Sequence, residues 1–519
     1  MRRLVLPILL IVGSVLAFRF SDDRGEQTVT AVSSADVSSP TTPLLSARRV
    51  PEILDGPRAQ AVIEGDLLDI ALVSPPLSCL VAVDRDGVEL VAHQPDVGLI
   101  PASLQKLVTA AAVLDRIGPE ARLRTVVGAE AAVVDGTLDG DLFLIGGGDP
   151  LLYTDEYAAT FSTPVPHTSI AELADAVVAA GITEINGGIV GNDSRYDSLR
   201  QPSSWDPDGD LARDGFTGPL GALMINDGFE AFPPVREPNA FPTPAGDPAQ
   251  HAAAEFDDLL EERGVVIAGG SRNEPEIPTT LVEVAGIESL PMNEIVGQML
   301  TFSDNTTAEL LLKELGFVVG ADGSTDAGAL AALEILGAQG IDIATIRIDD
   351  ASGLSNRNRL SCRSITDILE AFELDSDLGL GLAVSGEPGT LSERFRTASL
   401  RGAVHAKTGT LNSVTALAGF IETTNDQVVA FSYIINLDPE ITPELFELQD
   451  QLLQTLVGYP TGPSLDELDP LDSDREPAEP FVPGLGSDDS AVSTDEPAPD
   501  STPTQGPPPD EGDGLGPDE

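Results

Sequence analysis

Basic side chains are scarce in this sequence. Its 519 residues hold 28 Lys and Arg against 85 Asp and Glu, a net charge of −57. Nucleic acid and anionic lipid both need a basic face on their partner, so neither is expected. Lysine is scarcer still: only Lys106, Lys313 and Lys407 occur, and every other basic group is an arginine. Arg stays protonated whereas a buried Lys can lose its proton, so a lysine kept in such a chain is a candidate base or compact cationic handle. Four histidines (His93, His167, His251, His405) and two cysteines show no metal-ligand spacing, so neither a metal nor another cofactor is expected. Cys79 and Cys362 would either form one disulfide in an oxidising compartment or remain as two buried thiols.

Long apolar runs are also lacking. After Arg2 and Arg3, residues 4–18 carry no charge, and Arg19 follows. Fifteen residues in a helix reach about 22 Å, short of the roughly 30 Å of hydrocarbon that a spanning helix crosses. Residues 1–18 therefore read as an export signal with cleavage after Ala17; the alternative is an uncleaved anchor, the one route to membrane contact. The expected location is extracytoplasmic, secreted or associated with the cell envelope. Residues 19–58 read as a flexible linker, and 460–519, with seventeen acids and one arginine beyond Pro460, as a disordered acidic, Pro-rich tail.

Between these ends the chain has globular texture. Residues 77–83 and 88–91, separated by Asp84-Arg85-Asp86-Gly87, predict a hairpin. A nearly all-apolar helix follows Lys106 and should be buried in the middle of a domain. From about 126 to 288 the pieces become short and strand-like with Gly-rich turns, and one helix is expected over 248–264. The Gly146-Gly147-Gly148-Asp149 run reads as a structural turn, since no lysine follows it and Asp149 would repel phosphate. Helical patterning returns over 292–300, breaks at Phe302-Ser303-Asp304-Asn305 and resumes to Lys313. Residues 349–359 are polar and turn-rich, hence a loop. Three antiparallel strands over 404–434 and a closing helix over 443–457 end the ordered part.

Three short motifs carry chemistry. In Ser103-Leu104-Gln105-Lys106 the helical spacing puts a hydroxyl beside an amine, a nucleophile with a built-in base, at a helix start whose N–H groups suit an oxyanion. Ser303-Asp304-Asn305 offers a hydroxyl and an amide in a break between helices. Lys407-Thr408-Gly409-Thr410, on an edge-like strand, supplies an ammonium, two hydroxyls and a residue without a side chain, a set that would hold a substrate carboxylate while the strand pairs with substrate backbone. No G-x-S-x-G elbow is present, which disfavours a Ser-His-Asp hydrolase. Alone, S-x-x-K arises by chance too readily; the ordered trio consumes two of only three lysines.

In these motifs, and in Gly147-Gly148-Asp149-Pro150, Asp350 with Ser352-Gly353-Leu354-Ser355, and Asn358-Arg359-Leu360-Ser361, the chain resembles the D-alanyl-D-alanine carboxypeptidase/D-alanyl-D-alanine-endopeptidase family, the class C type low-molecular-mass penicillin-binding proteins (peptidase family S13). The resemblance implies a multi-domain α/β fold, a transpeptidase/β-lactamase-like domain (59–125 and 289–459) interrupted by a large β-rich insertion (126–288). It also implies a serine-type peptidase acting on peptidoglycan stem peptides through an acyl-enzyme and inhibited by β-lactam antibiotics. Ser103, Lys106, Ser303, Asn305 and Lys407 would be catalytic, with Lys106 held neutral by burial and by the Lys407 charge. The backbone N–H groups of Ser103 and Thr410 would form the oxyanion hole. Thr408, Gly409, Thr410, Asn356, Arg357 and Trp205 would bind substrate. Ala351 stands where relatives usually have Gly, and Asn356 where they often have Arg, with Arg357 adjacent. Trp205, near Asp206 and Asp208, is similar to a Trp-acidic segment that in relatives lies by the substrate's diamino acid. The alternatives are a serine β-lactamase or esterase of the same fold and, in another class, a non-catalytic envelope-binding protein.

Overall fold

Two distant stretches of the chain share one sheet. The computed structural model describes residues 55–161, 163–205, 215–233, 241–438 and 440–460. The expected export signal, nearly all of the expected linker, all but the first residue of the expected tail, and Asp206 and Asp208 lie outside the described residues.

Helix α1 (Asp55–Val73) leads into β1 (Ser78–Asp84) and β2 (Glu89–His93), the predicted hairpin. Its turn is closed by the Asp84 side chain, whose Oδ1 accepts from the Asp86 and Val88 N–H groups at 2.9 and 2.8 Å. Helix α2 (Gln105–Arg116) follows, and all residues from Gln105 to Leu114 are buried. The chain then enters β3 (Arg124–Ala129), β4 (Leu142–Ile145), α3 (Ile170–Ala179), β5 (Ile189–Asn192), α4 (Pro248–Glu262), β6 (Arg272–Asn273) and β7 (Val282–Glu288). These strands form a five-stranded sheet in the order β6-β5-β4-β3-β7, parallel from β4 to β6 and antiparallel elsewhere. Parallel neighbours require crossover connections, and α3 and α4 supply them. Helix α3 lies in a stretch read as strand-like, yet its buried Ile170, Leu173, Ala174 and Val177 are spaced at three and four like any amphipathic helix. Because β3 and β7 pair side by side, the whole excursion leaves and returns at one place.

Helices α5 (Met292–Phe302), α6 (Asn305–Gly320), α7 (Thr325–Ala338) and α8 (Cys362–Phe372) come next, then β8 (Ala383–Val384), β9 (Val404–Leu411), β10 (Val414–Glu422), β11 (Val428–Asn436) and α9 (Pro443–Leu456). The late strands join the early hairpin in a six-stranded antiparallel sheet of order β8-β9-β10-β11-β1-β2. Both of its faces are covered, so every residue of β1 is buried. Cys79, Val81 and Val83 point into a core with α2, α5 and α6, while Leu80 and Ala82 point into a second core with α1 and α9. Cys79 is disulfide-bonded to Cys362 at the start of α8, a link across 283 positions of sequence. Among the described residues no helix is long and apolar enough to cross a membrane.

Helix α6 also fastens the intervening segment. Glu314 is 3% exposed and takes a two-pronged bond from Arg195 (2.8 and 2.6 Å) and one from the Tyr196 hydroxyl (3.0 Å), while Lys313 reaches Asp197 at 2.5 Å. Removing Arg195 would strand a buried carboxylate. Arg195→Ala is therefore expected to cost about 3 kcal/mol, whereas Arg124→Ala, which breaks an ion pair with both partners about half exposed, should cost less than about 1 kcal/mol. Urea unfolding of the two variants compares them, and equal midpoints would refute the clamp.

Candidate active site

The turn that carries Ser103 is held from several sides. Leu99 exchanges backbone hydrogen bonds with Leu360 (2.9 and 3.0 Å), and the Asn436 amide, at the end of β11, clamps Ile100 by accepting from its N–H (2.9 Å) and donating to its carbonyl (3.0 Å). Ser103 then sits in a 3-10 turn, Ala102–Leu104, that runs directly into α2. Ala102 has φ +50°, a left-handed conformation that is costly for a residue with a Cβ and persists where packing over-determines it. Two glycines supply that packing. A Cβ on Gly353 (φ +87°) would lie 1.9 Å from the Ala102 carbonyl oxygen, and one on Gly409 would lie 2.8 Å from that of Pro101. The bare Gly409 of the K-T-G motif thus makes room for the chain's own Ser103 turn, where the sequence suggested only the approach of a ligand.

Lys106, one turn along α2, is fully buried. Its Nζ donates to Ser103 Oγ at 3.1 Å, Asn305 Oδ1 at 2.8 Å and the Ser352 carbonyl at 2.7 Å. Helix α5 ends at Ser303, whose left-handed backbone (φ +62°) breaks the helix, and Asp304 caps α6 by accepting from the Thr307 N–H at 3.0 Å. This break turns Ser303 toward β9 and Asn305 toward Lys106. Lys407 Nζ donates to Ser303 Oγ at 2.9 Å and to the Thr408 carbonyl at 2.7 Å, and Asn305 Nδ2 donates to the Phe216 carbonyl at 2.8 Å. The five residues expected to be catalytic therefore fall into two hydrogen-bonded sets, Lys106 with Ser103 and Asn305 and Lys407 with Ser303, that meet at the break between α5 and α6.

The charges divide between the lysines differently from the expectation. Burial lowers Lys106 to about 8, opposed by the carboxylates of Asp350, Asp304 and Glu309. Lys407 is pushed well below the usual lysine value by burial and then by the Lys106 charge, with no carboxylate to offset them. Of the two, Lys106 is the better place for a proton and Lys407 the worse.

The expected substrate-binding residues are placed less uniformly. Thr408 is half-buried and Thr410 exposed on β9. Among the described residues β8 pairs only with His405 and Ala406, so the outer edge of β9 from Lys407 to Leu411 carries no strand. Asn356 and Arg357 are both exposed on the 349–359 loop. Trp205 is 5% exposed, and its indole Nε1 donates to Asp350 Oδ2 at 2.8 Å. Asp350 is itself fully buried and also accepts from the N–H groups of Gly353 (2.9 Å) and Ser355 (2.6 Å) and from Asn358 Nδ2 (2.6 Å). The tryptophan is thus a strut of the loop that presents Gly353 to Ala102. Glu309, fully buried behind Lys106, went unnoticed in the sequence; its one signal is a carboxyl four residues after Asn305, on the same helix face, amid Ala308 and Leu310 to Leu312.

The profile of the D-Ala-D-Ala carboxypeptidase 3 (S13) family matches residues 60–240 and 231–456. The chain belongs to this family. Among the relatives of this chain, a D-alanyl-D-alanine carboxypeptidase of Actinomadura sp. (strain R39) is 27% identical over 505 residues, covering 82% of this chain and 90% of the relative. Carboxypeptidase DacB of Mycolicibacterium smegmatis is 30% identical over 388 residues, 71% of this chain and 79% of the relative. The crystal structure of penicillin binding protein 4 (dacB) from Haemophilus influenzae superposes with a TM-score of 0.65 at 23% identity, over 76% of this chain and 99% of that one. The likeness establishes the S13 chain's fold as the penicillin-binding-protein type, mixed α/β with several sheets.

The packing around Ser103 makes a direct prediction. Gly353→Ala drives a methyl into the Ala102 carbonyl at an unfavourable φ, so labelling of the protein by a fluorescent penicillin should slow at least about tenfold. An unchanged rate would mean that the Ser103 turn does not depend on Gly353.

Proposed function

We propose that this S13 protein is a serine-type D-Ala-D-Ala carboxypeptidase/endopeptidase that acts outside the cytoplasm on peptidoglycan stem peptides through an acyl-enzyme on Ser103, and that β-lactams inhibit it by acylating the same serine. The observation that carries this reading is the set of partners around Lys106. Asn305 Oδ1 and the Ser352 carbonyl can only accept hydrogen bonds, whereas the Ser103 hydroxyl can also donate. When Lys106 loses a proton it keeps its two fixed acceptors and turns its lone pair to Ser103. It then takes the hydroxyl proton as Ser103 Oγ attacks the penultimate carbonyl of the stem peptide.

The negative oxygen of the tetrahedral intermediate is received by the backbone N–H groups of Ser103 and Thr410, donors of a kind worth about 10²–10³ each in rate. Ser303 and Lys407, already hydrogen-bonded, relay a proton to the leaving amine, and Asn305 orients a substrate amide. Thr408 and Thr410 hold the terminal carboxylate, and the open edge of β9 pairs with substrate backbone. Water then hydrolyses the acyl-enzyme. Asn356 and Arg357, exposed on the neighbouring loop, face the substrate side chain, and Trp205 acts on that loop through Asp350. The names of the relatives from Actinomadura and Mycolicibacterium, both carboxypeptidases, support the reaction class, and a second Haemophilus structure, complexed with a β-lactam, supports the inhibitor class.

Two experiments test the mechanism. Mass spectrometry after incubation with a fluorescent penicillin should find the adduct on the Ser103 peptide of the wild type and none on Ser103→Ala; labelling of both would assign the nucleophile elsewhere. The acylation rate should also depend on pH. Lys106 must be neutral to accept the proton and is lowered to about 8, so the rate should climb as pH rises through about 8 and level off above it. A flat profile from pH 6.5 to 9.5, a range of about three pH units around the ordinary window of such a base, would exclude Lys106 from that role.

A further inference from the structure

Glu309 lies behind Lys106 and has no part in the steps above. It is 0% exposed, and its Oε1 accepts from the N–H groups of Ala351 at 3.0 Å and Ser352 at 2.8 Å. Its Oε2 is buried with no hydrogen-bond partner. The two amides it holds flank the peptide whose next carbonyl, that of Ser352, accepts from Lys106 at 2.7 Å. An amide oxygen could accept both N–H bonds equally well, so glutamine would serve if anchoring were the whole task. A carboxyl costs more to bury than an amide, most of all with one oxygen unsatisfied. The acidity itself therefore needs a reason, and the buried amine it backs is the one that must change protonation.

We propose that Glu309 is a positioning residue for the reaction: it aims the Ser352 carbonyl at Lys106, and its buried carboxyl sets how readily Lys106 gives up a proton. This inference rests on the assignment of Lys106 as the base for Ser103. The charged groups around Lys106 are Glu309 on α6, Asp304 at the cap of α6, Asp350 on the 349–359 loop and Lys407 on β9. Burial, then Asp350, push Glu309 up to about 8. A charge on Glu309 opposes loss of the Lys106 proton. Removing the carboxyl should let Lys106 deprotonate at lower pH.

The scarcity of lysine makes this directly observable. Protein labelled with ¹³C at lysine Cε contains three such sites, Lys106, Lys313 and Lys407, so each can be titrated by NMR without reference to activity. In Glu309→Gln the Lys106 midpoint should fall by at least about 0.5 pH unit, and the rising limb of penicillin acylation should move with it. A Lys106 midpoint equal to that of the wild type in a variant with unchanged thermal unfolding overturns the proposal, since a purely structural Glu309 would leave the titration in place. Should Glu309→Gln fail to fold, Glu309→Asp decides. Withdrawing the carboxyl from the two N–H groups should slow acylation at least about tenfold while the Lys106 midpoint stays within about 0.3 unit; an unchanged rate overturns the proposal. If the wild type carries no adduct on Ser103, the assignment of Lys106 as base falls and this inference with it. Wild-type labelling with an unmoved midpoint in Glu309→Gln removes the role of Glu309 alone.

Discussion

One ammonium group ties together segments far apart in sequence. Lys106 is fully buried, and its donors end on Ser103 three residues away, Asn305 some 199 positions on and Ser352 some 246 positions on. A buried ammonium without partners would cost several kcal/mol, so the Ser103 turn, the break between α5 and α6 and the 349–359 loop must all be in place before that amine is satisfied. The constraint is mutual. Each segment is aimed by the lysine, and the lysine is tolerable because all of them are aimed at it.

The surrounding frame is built to the same purpose. The six-stranded sheet brings β11 beside β1, so that Asn436 can clamp the backbone just before Ser103. Helix α6 starts at Asn305, passes Glu309 and carries, near the end of its buried run, Lys313 and Glu314, which grip Asp197 and Arg195 of the intervening segment. One rigid helix thus sets the site at its first turns and holds the neighbouring segment two turns later. The disulfide at Cys79 closes the same circuit from the sheet side, since Cys362 opens the helix that follows the 349–359 loop.

Much of this was legible in the sequence, and the pattern of what was not has a physical explanation. Ser103, Lys106, Ser303, Asn305, Lys407 and Thr408 could be picked out because scarcity of lysine, helical spacing and a helix break are local signals. The hairpin of β1 and β2 was legible from its turn, and the three late strands from their apolar runs. The partner of Trp205 was not, because Asp350 lies 145 positions away, and the pairing of β1 with β11 was equally non-local. Helix α3 escaped notice because it is only ten residues long, lies among short strand-like pieces and is followed at once by Gly181 and Gly187-Gly188. The sequence also suggested a neutral Lys106 beside a charged Lys407. The reverse bias depends on three carboxylates that converge only in the fold, one of them Glu309, which looks from its neighbours like a surface position on an apolar helix.

The burial of the lysines has a consequence for the outside of the protein. Lys106, Lys313 and Lys407 are 0%, 1% and 0% exposed, and the chain has no others. The surface therefore offers no ε-amine at all. Under the proposed mechanism a peptide carried as an ester on serine would, on meeting a well-placed amine, pass on as an amide. Neighbouring copies of this chain present no lysine side chain to receive it, so crowding adds no self-modification through lysine to the competition between water and other acceptors.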